Sequence, residues 1–296
     1  MVGLGGIGSA AAYWCAQRGA SVVGLEQFEL GHDRGASHDH SRIIRLSYHT
    51  NWYVELAKDA YRAWGAVEAA TGEQLVTRTG GIDLFPPGAA IGDADYRDAM
   101  DTAGVRYDVL DGEEVRRRWP VFAVADDVIG IHQGQAGIVA AARATAALQR
   151  GAKERGAELR DRTPVRAIEV SGDGVAVVTD DGVVRARRAV VACDAWTNRL
   201  SGPLGLELPL TVLREQLSYF ASSRLADFAP ERFPVWIWMD DPSFYGFPVF
   251  GEAAVKVAQD CGGFEVDADT RTFDPDPAML DRLTEFAGRL FVPDAL

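Results

Sequence analysis

Three stretches of the chain carry residue types at spacings that could do chemistry. Gly3-Leu4-Gly5-Gly6-Ile7-Gly8 is a Gly-x-Gly-x-x-Gly turn that runs into the small-residue segment Ser9 to Arg18 and closes at Gly19. Glycines at this spacing permit a tight turn and let a pyrophosphate approach the N-terminus of the next helix, where free N–H groups and the dipole favour anions. A short apolar run, Ala20 to Leu25, then ends in Glu26, eighteen residues past Gly8, where an acid can accept from a ribose 2′-hydroxyl. An acid there disfavours a 2′-phosphate, which points to FAD or NAD and away from NADP. The turn itself does not separate FAD from NAD.

The second stretch is Gly35-Ala36-Ser37-His38-Asp39-His40-Ser41-Arg42-Ile43-Ile44-Arg45. Its two arginines are three apart and straddle an apolar pair. In a helical or turn conformation they would share a face and could meet a carboxylate or a polarised cofactor edge; the plainer reading is a solvated surface pair. His38 and His40 form a His-x-His without a convincing third ligand, so no metal site is expected. The third stretch is Tyr245-Gly246-Phe247-Pro248-Val249-Phe250-Gly251, followed by Lys256 inside Ala253-Ala254-Val255-Lys256-Val257-Ala258. A lysine between valines on a strand points away from its immediate neighbours. It is either exposed on a half-buried strand or a cation aimed into a pocket.

The elements that must position these groups follow from periodicity. The glycine turn, its small-residue helix and the strand ending at Glu26 need a buried strand ahead of Gly3, of which only Met1 and Val2 remain, so the chain reads as truncated at its start. Tyr53, Ala57, Ala60, Tyr61, Trp64 and Val67 predict an amphipathic helix from Asn51 to Gly72, with Trp64 in the core. Val109 to Pro120 predicts a short helix entered through Asp111, with Glu114 three residues on as in a capping box. Its Arg116-Arg117-Arg118 run complements the C-terminal end of the dipole. Residues 138–155 read as an alanine-rich helix. Thr163 to Cys193 reads as a β-meander with Gly-Asp-Gly and Asp-Asp-Gly turns, ending in a further strand-to-helix turn at Asp194-Ala195-Trp196-Thr197. After Leu210 the aromatic, strand-like segments predict a second domain built on a sheet.

Composition narrows the class. With 296 residues, 47% hydrophobic and 25% charged, the chain is long enough for two globular domains. A formal net charge of −13 repels phosphate backbones and anionic headgroups, so neither nucleic acid nor a membrane surface is an expected partner. Three cysteines without a C-x-x-C pair make no disulfide framework, which suits a reducing cytosol. The uncharged start, Met1 to Ala16, lacks the basic leader of a signal peptide, and no run approaches the roughly 18 apolar residues of a membrane span. The reading is a soluble, cytoplasmic protein.

Taken together, the stretches resemble the amino-acid-oxidising flavoenzymes of the D-amino-acid-oxidase-like superfamily, the family that includes monomeric sarcosine oxidase, N-methyltryptophan oxidase and pipecolate oxidase. The resemblance rests on the N-terminal turn, the block Ser37 to Arg45, Arg118-Trp119-Pro120, Ala195-Trp196, and Tyr245-Gly246-Phe247-Pro248 with Lys256 downstream, and runs from Gly3 to about Pro293. It implies bound FAD, a small amino-acid substrate and dioxygen as partners, and hydrogen peroxide as a product. Carried onto this chain, it implies that Gly3, Gly5 and Gly8 hold the pyrophosphate and Glu26 the ribose. Gly6, Ile7, Ser37, Ile43 and Trp196 also line the cofactor, and His38 and Arg42 lie beside the flavin ring. Arg45 clamps the substrate carboxylate, Tyr245 lines the substrate pocket, and Lys256 promotes oxygen reduction. Asp260 stands where the resemblance puts a second pocket histidine. The family continues beyond a point matching Leu296 with a segment that bears the flavin-linking cysteine, and neither Cys193 nor Cys261 matches that residue.

The fold expected is α/β: a Rossmann-like dinucleotide-binding FAD domain from residues 1–83 and 137–210, with an inserted sheet-rich α+β substrate domain from residues 84–136 and 211–296. The function expected is an FAD-dependent oxidase of a secondary (N-methyl) or primary amino acid. An NAD-dependent dehydrogenase would also explain the glycine turn and Glu26 but not the block Ser37 to Arg45, and a catalytically inactive, truncated remnant of the oxidase family is the third reading.

Overall fold

A computed structural model describes residues 1–296. The chain divides into two compact units, the first comprising Met1–His40 and Ala140–Val212, the second Ser41–Val139 and Leu213–Leu296. The sequence pattern predicts a first domain over residues 1–83 and 137–210. Residues 41–83 fall in the second unit because their strands pair there: Arg42–Ile44 lies against Gly137–Val139, and Gly81–Phe85 lies between Ile129–Gln133 and Val235–Trp238.

In the first unit, strand Val23–Leu25 runs parallel to Glu158–Arg160, and Val2 makes parallel bridges to both Leu25 and Val191. Val2 thus occupies the place where the pattern required a strand. The helix Gly6–Gln17 begins directly after this turn and is followed by Gly19 at φ +79°, a conformation open to glycine at little cost. It packs on the helix Ala141–Glu154 through small residues. A methyl group at Gly151 would come 2.7 Å from the Tyr13 ring, so the close approach of the two helices requires glycine there. The second helix starts at Ala141, since residues 137–139 form a strand. The expected meander is present as the antiparallel strands Val165–Ser171, Gly174–Thr179 and Gly182–Ala186. Ile168 and Val177 from it join Val2, Leu25 and Leu200 in one buried cluster.

The second unit is built on a seven-stranded mixed sheet in the order Leu217–Phe220, Val255–Gln259, Phe244–Phe247, Val235–Trp238, Gly81–Phe85, Ile129–Gln133, Asp108–Leu110. The aromatic segments after Leu210 are therefore strands, as expected. Helix Pro277–Leu290 covers this sheet; Asp276 caps it by accepting the Ala278 N–H at 3.0 Å. Its Met279, Leu283, Phe286, Ala287 and Leu290 are buried, and Phe286 stacks on Phe244 with centroids 3.8 Å apart. At about 1.5–3 kcal/mol per large apolar side chain removed from water, this face accounts for the docking of the helix.

Two other expectations need correction. The helix entered through Asp111 spans Gly112–Arg118 only, and residues 108–110 form an edge strand. Asp111 accepts the Glu114 N–H at 2.8 Å, but the Glu114 carboxylate bonds Arg117 and Arg118, so the reciprocal half of the capping box is absent. Helix Asn51–Thr71 stops at Gly72 (φ +72°) as read, but it buries Val54 and Val67 while Tyr53 is exposed and stacks on Trp52, and Trp64 is only half-buried. No helix is long and apolar enough to cross a membrane.

Candidate active site

The first unit contains a cavity of 530 Å³ lined by Gly3, Gly5, Gly6, Ile7, Glu26, Ser37, His38 and Trp196, among others. These are the cofactor residues expected from the sequence, except that Gly8 is not part of the lining and Arg42 and Ile43 belong to the second unit. The glycines are there for want of space. A methyl on Gly8 would sit 1.9 Å from the Gly3 carbonyl oxygen, and one on Gly3, itself at φ +85°, 2.4 Å from the Ala192 oxygen. Helix geometry leaves the first N–H groups of Gly6–Gln17 without intrahelical acceptors. Ser37 Oγ accepts the one from Gly6 at 2.8 Å, and the Ser9 N–H reaches Gly5. The amides of Ile7 and Gly8, with the dipole behind them, remain as the anion-binding end.

Glu26 is 5% exposed and ties this turn to the end of its strand. Its Oε2 accepts the Leu4 N–H at 2.8 Å and its Oε1 the Phe28 N–H at 3.2 Å. Two backbone donors fix the carboxylate in the cavity wall and leave acceptor capacity for a hydroxyl. Burial, and then the neighbouring Glu26, push the Cys193 thiol up to about 11, so this cavity cysteine is a thiol at neutral pH. A cradle closed to side chains, a helix N-terminus and a fixed carboxylate acceptor fit the pyrophosphate and ribose of a dinucleotide.

The second unit holds the cationic residues. Ser41 to Arg45 is not helical; Arg42–Ile44 is a strand, so positions three apart do not share a face. Arg42 Nη1 donates to the Ser41 carbonyl at 2.8 Å. Lys256 is 2% exposed, which decides between its two readings in favour of burial. Its ammonium donates to the carbonyl and hydroxyl of Ser41, both at 3.2 Å, and lies 4.6 Å from the centroid of the Phe247 ring. Tyr245, half-buried, meets Phe247 edge to face at 6.1 Å. Asp260 is exposed at the end of the Lys256 strand.

Arg45 is paired inside the unit: Nη1 donates to Asp83 Oδ1 at 2.7 Å, and its guanidinium lies 4.8 Å from the Tyr48 ring centroid. The other Asp83 oxygen accepts from Ser47. Burial pushes the Asp83 carboxyl above its ordinary value against the pull of Arg45 and Ser47, while Asp83 and Tyr48 outweigh burial at Arg45 and hold its cation. Sequence reasoning gave Asp83 no role. The signal was a lone acid inside Gly80-Gly81-Ile82-Asp83-Leu84-Phe85, a run otherwise fit for a buried strand.

Against known proteins, residues 1–296 match the family described as DAO, FAD dependent oxidoreductase. The chain belongs to that family. It is 35% identical over 252 residues to monomeric sarcosine oxidase of Streptomyces avermitilis, covering 84% of this chain and 65% of that enzyme. Monomeric sarcosine oxidase of a Bacillus species is 29% identical over 272 residues, 91% of this chain and 70% of that one. N-methyl-L-tryptophan oxidase of Yersinia pestis is 31% identical over 271 residues, 89% and 70%. The chain thus spans about two thirds of the length of these curated relatives. Among solved structures it superposes on NikD, described as an unusual amino acid oxidase essential for nikkomycin biosynthesis, with a TM-score of 0.85 at 26% identity, covering 100% of this chain and 78% of that one. Glycine oxidase from Geobacillus kaustophilus shares the fold, with a TM-score of 0.79 at 22% identity over 98% of this chain and 76% of that one. The family depends on FAD, which sets aside the nicotinamide reading of the glycine turn.

Proposed function

We propose that the chain is an FAD-dependent oxidase of an N-methyl or primary amino acid, with dioxygen as the electron acceptor. The observation that carries this reading is Lys256, a buried ammonium held by Ser41 and the Phe247 ring in a chain that also has a dinucleotide cradle. When bound, FAD supplies the acceptor for the hydride lost from the amine carbon and returns the electrons to dioxygen as hydrogen peroxide.

The chain's own residues do the rest. The N–H groups at Ile7 and Gly8 bind the pyrophosphate and the Glu26 carboxylate accepts from the ribose. Gly3, Gly5, Gly6, Ser37, His38 and Trp196 shape the cavity around the cofactor. Arg45 holds the substrate carboxylate with its guanidinium, which fixes the amine carbon and lowers the entropic cost of reaction. Tyr245 lines the substrate pocket. Lys256 stabilises the negative charge that develops on oxygen, an effect enlarged by its low-dielectric surroundings. The imine product is released to water, where it hydrolyses.

The test is the visible spectrum of the purified chain incubated with FAD, followed by anaerobic addition of sarcosine or another N-methyl amino acid. Flavin bands that bleach on addition and return in air are expected, with peroxide formed in step with the substrate consumed. A folded, colourless protein that takes up no FAD would overturn the reading and leave an inactive relative of the oxidases.

A further inference from the structure

Strand Gly81–Phe85 is buried along its whole length, in a sheet that Val235–Trp238 and Ile129–Gln133 flank on either side. Such a strand is ordinarily apolar, yet its centre is Asp83, 3% exposed. A buried ion pair contributes little net stability compared with well-packed apolar residues, so the consequence of Asp83 is to be sought in what it does to Arg45. One Asp83 oxygen accepts from Arg45 at 2.7 Å and the other from Ser47, so the carboxylate is oriented at both ends. The Arg45 face rests on Tyr48, 4.8 Å from the ring centroid, and its side chain keeps 16% of its surface accessible, against 5% for Asp83. Asp83 is therefore the more deeply buried of the two partners, holds one edge of the guanidinium and offsets its charge.

We infer that Asp83 is a specificity-determining residue that restricts the Arg45 site to ligands with a single carboxylate. This rests on the reading of Arg45 as the substrate-carboxylate clamp. A ligand carboxylate on Arg45 brings the group of three to a net charge of −1. A second carboxylate brings it to −2 in a poorly solvated place. If Asp83 were neutral, the first carboxylate would be fully compensated by Arg45 and the second would meet one negative charge fewer. Asp83 acts through Arg45 and touches no reacting atom, so it is a positioning residue.

The experiment is calorimetric titration of the full chain, supplied with FAD, with acetate and malonate as non-reacting probes, comparing the native protein with Asp83→Asn. The native protein is expected to bind acetate more tightly than malonate. In Asp83→Asn both should tighten, malonate more, shifting the malonate-to-acetate affinity ratio by roughly tenfold, as expected for one charge removed from a partly screened site. A merely structural Asp83 would weaken both probes alike, and an unchanged ratio overturns the proposal. So does absence of acetate binding to the native protein, since Arg45 is then no anion site. Should Asp83→Asn fail to fold with its arginine unpaired, the double variant Asp83→Asn/Arg45→Gln removes both charges. It must lose acetate binding, and retained native affinity overturns the proposal. Neither probe is oxidised, so these outcomes are independent of whether sarcosine bleaches the flavin.

Discussion

The ammonium of Lys256 lies 3.2 Å from both the carbonyl oxygen and the hydroxyl of Ser41, 215 positions earlier in the chain. One residue thus anchors a buried cation through two acceptors. The same carbonyl also accepts from Arg42, which gathers two positive charges at one point of backbone. Lys256→Met is nearly isosteric and removes the charge. Reoxidation of the reduced flavin by air should slow by about 10²–10³-fold, the usual cost of one fixed electrostatic donor, while anaerobic reduction by substrate stays close to the native rate. Stopped-flow measurement of the two half-reactions checks this, and equal loss in both would contradict the role.

Arg45 is predicted to act on substrate binding. Arg45→Gln should raise KM for an N-methyl amino acid by roughly 10–100-fold, the worth of a charge-assisted hydrogen bond to a carboxylate. An N-methylamine lacking the carboxylate should be indifferent to the change. Steady-state kinetics with the two compounds separates a clamp from a general loss of structure, and an unchanged KM for the amino acid would sink the assignment.

The Gly8 position leaves no room for a side chain, since its methyl would stand 1.9 Å from the Gly3 oxygen. Gly8→Ala must push the turn apart, at an expected cost of about 1–3 kcal/mol, the range for overpacked sites. It should lower Tm and reduce the flavin bound per chain, as read by differential scanning fluorimetry and by the ratio of visible to ultraviolet absorbance. Normal flavin content in this variant would remove the turn from the cofactor site.

His132, on strand Ile129–Gln133, faces Asp108 at 3.5 Å and Trp119 at a ring separation of 5.3 Å. Burial pushes its imidazolium below the ordinary 6.5, more than Asp108 raises it. The unfolded chain therefore binds more protons than the folded one between the lowered folded value and about 6.5, and stability rises with pH through that window. The contribution is complete above about pH 6.5 and lost as the pH falls through the folded value. Thermal melts between about pH 5 and 7.5 should show this slope, and His132→Gln should flatten it. A slope unaltered in the variant would assign it to other groups.

Much of the first unit was legible in the sequence because its information is local. The glycine turn, the strand ending at Glu26 and the meander all declare themselves within a few residues, and their contacts follow from them. What was missed depends on distant partners. Arg42 and Arg45 suggested a shared helical face, but the intervening Ile43-Ile44 favours a strand, where alternation separates them. Lys256 could not be placed by pattern, because all of Val255–Gln259 is buried and neither face is a solvent face. The division of the chain into two compact units was not legible for a related reason: where the chain leaves one sheet for another is set by pairings such as Gly81 with Gln133 and Val235, which no local signal records. Asp83 is legible only once Arg45 is known to lie against it.

Trp196 lines the dinucleotide cavity, 8% exposed and 5.6 Å from the Phe28 ring. Tryptophan emission overlaps the absorption of an oxidised flavin, so a flavin dinucleotide held in this cavity drains light from that indole. The wall of the cavity therefore doubles as an optical gauge. As FAD is titrated in, the ultraviolet fluorescence of the unlabelled protein should fall in proportion to the sites filled, and Trp196→Phe should remove much of that response while the visible flavin bands still grow.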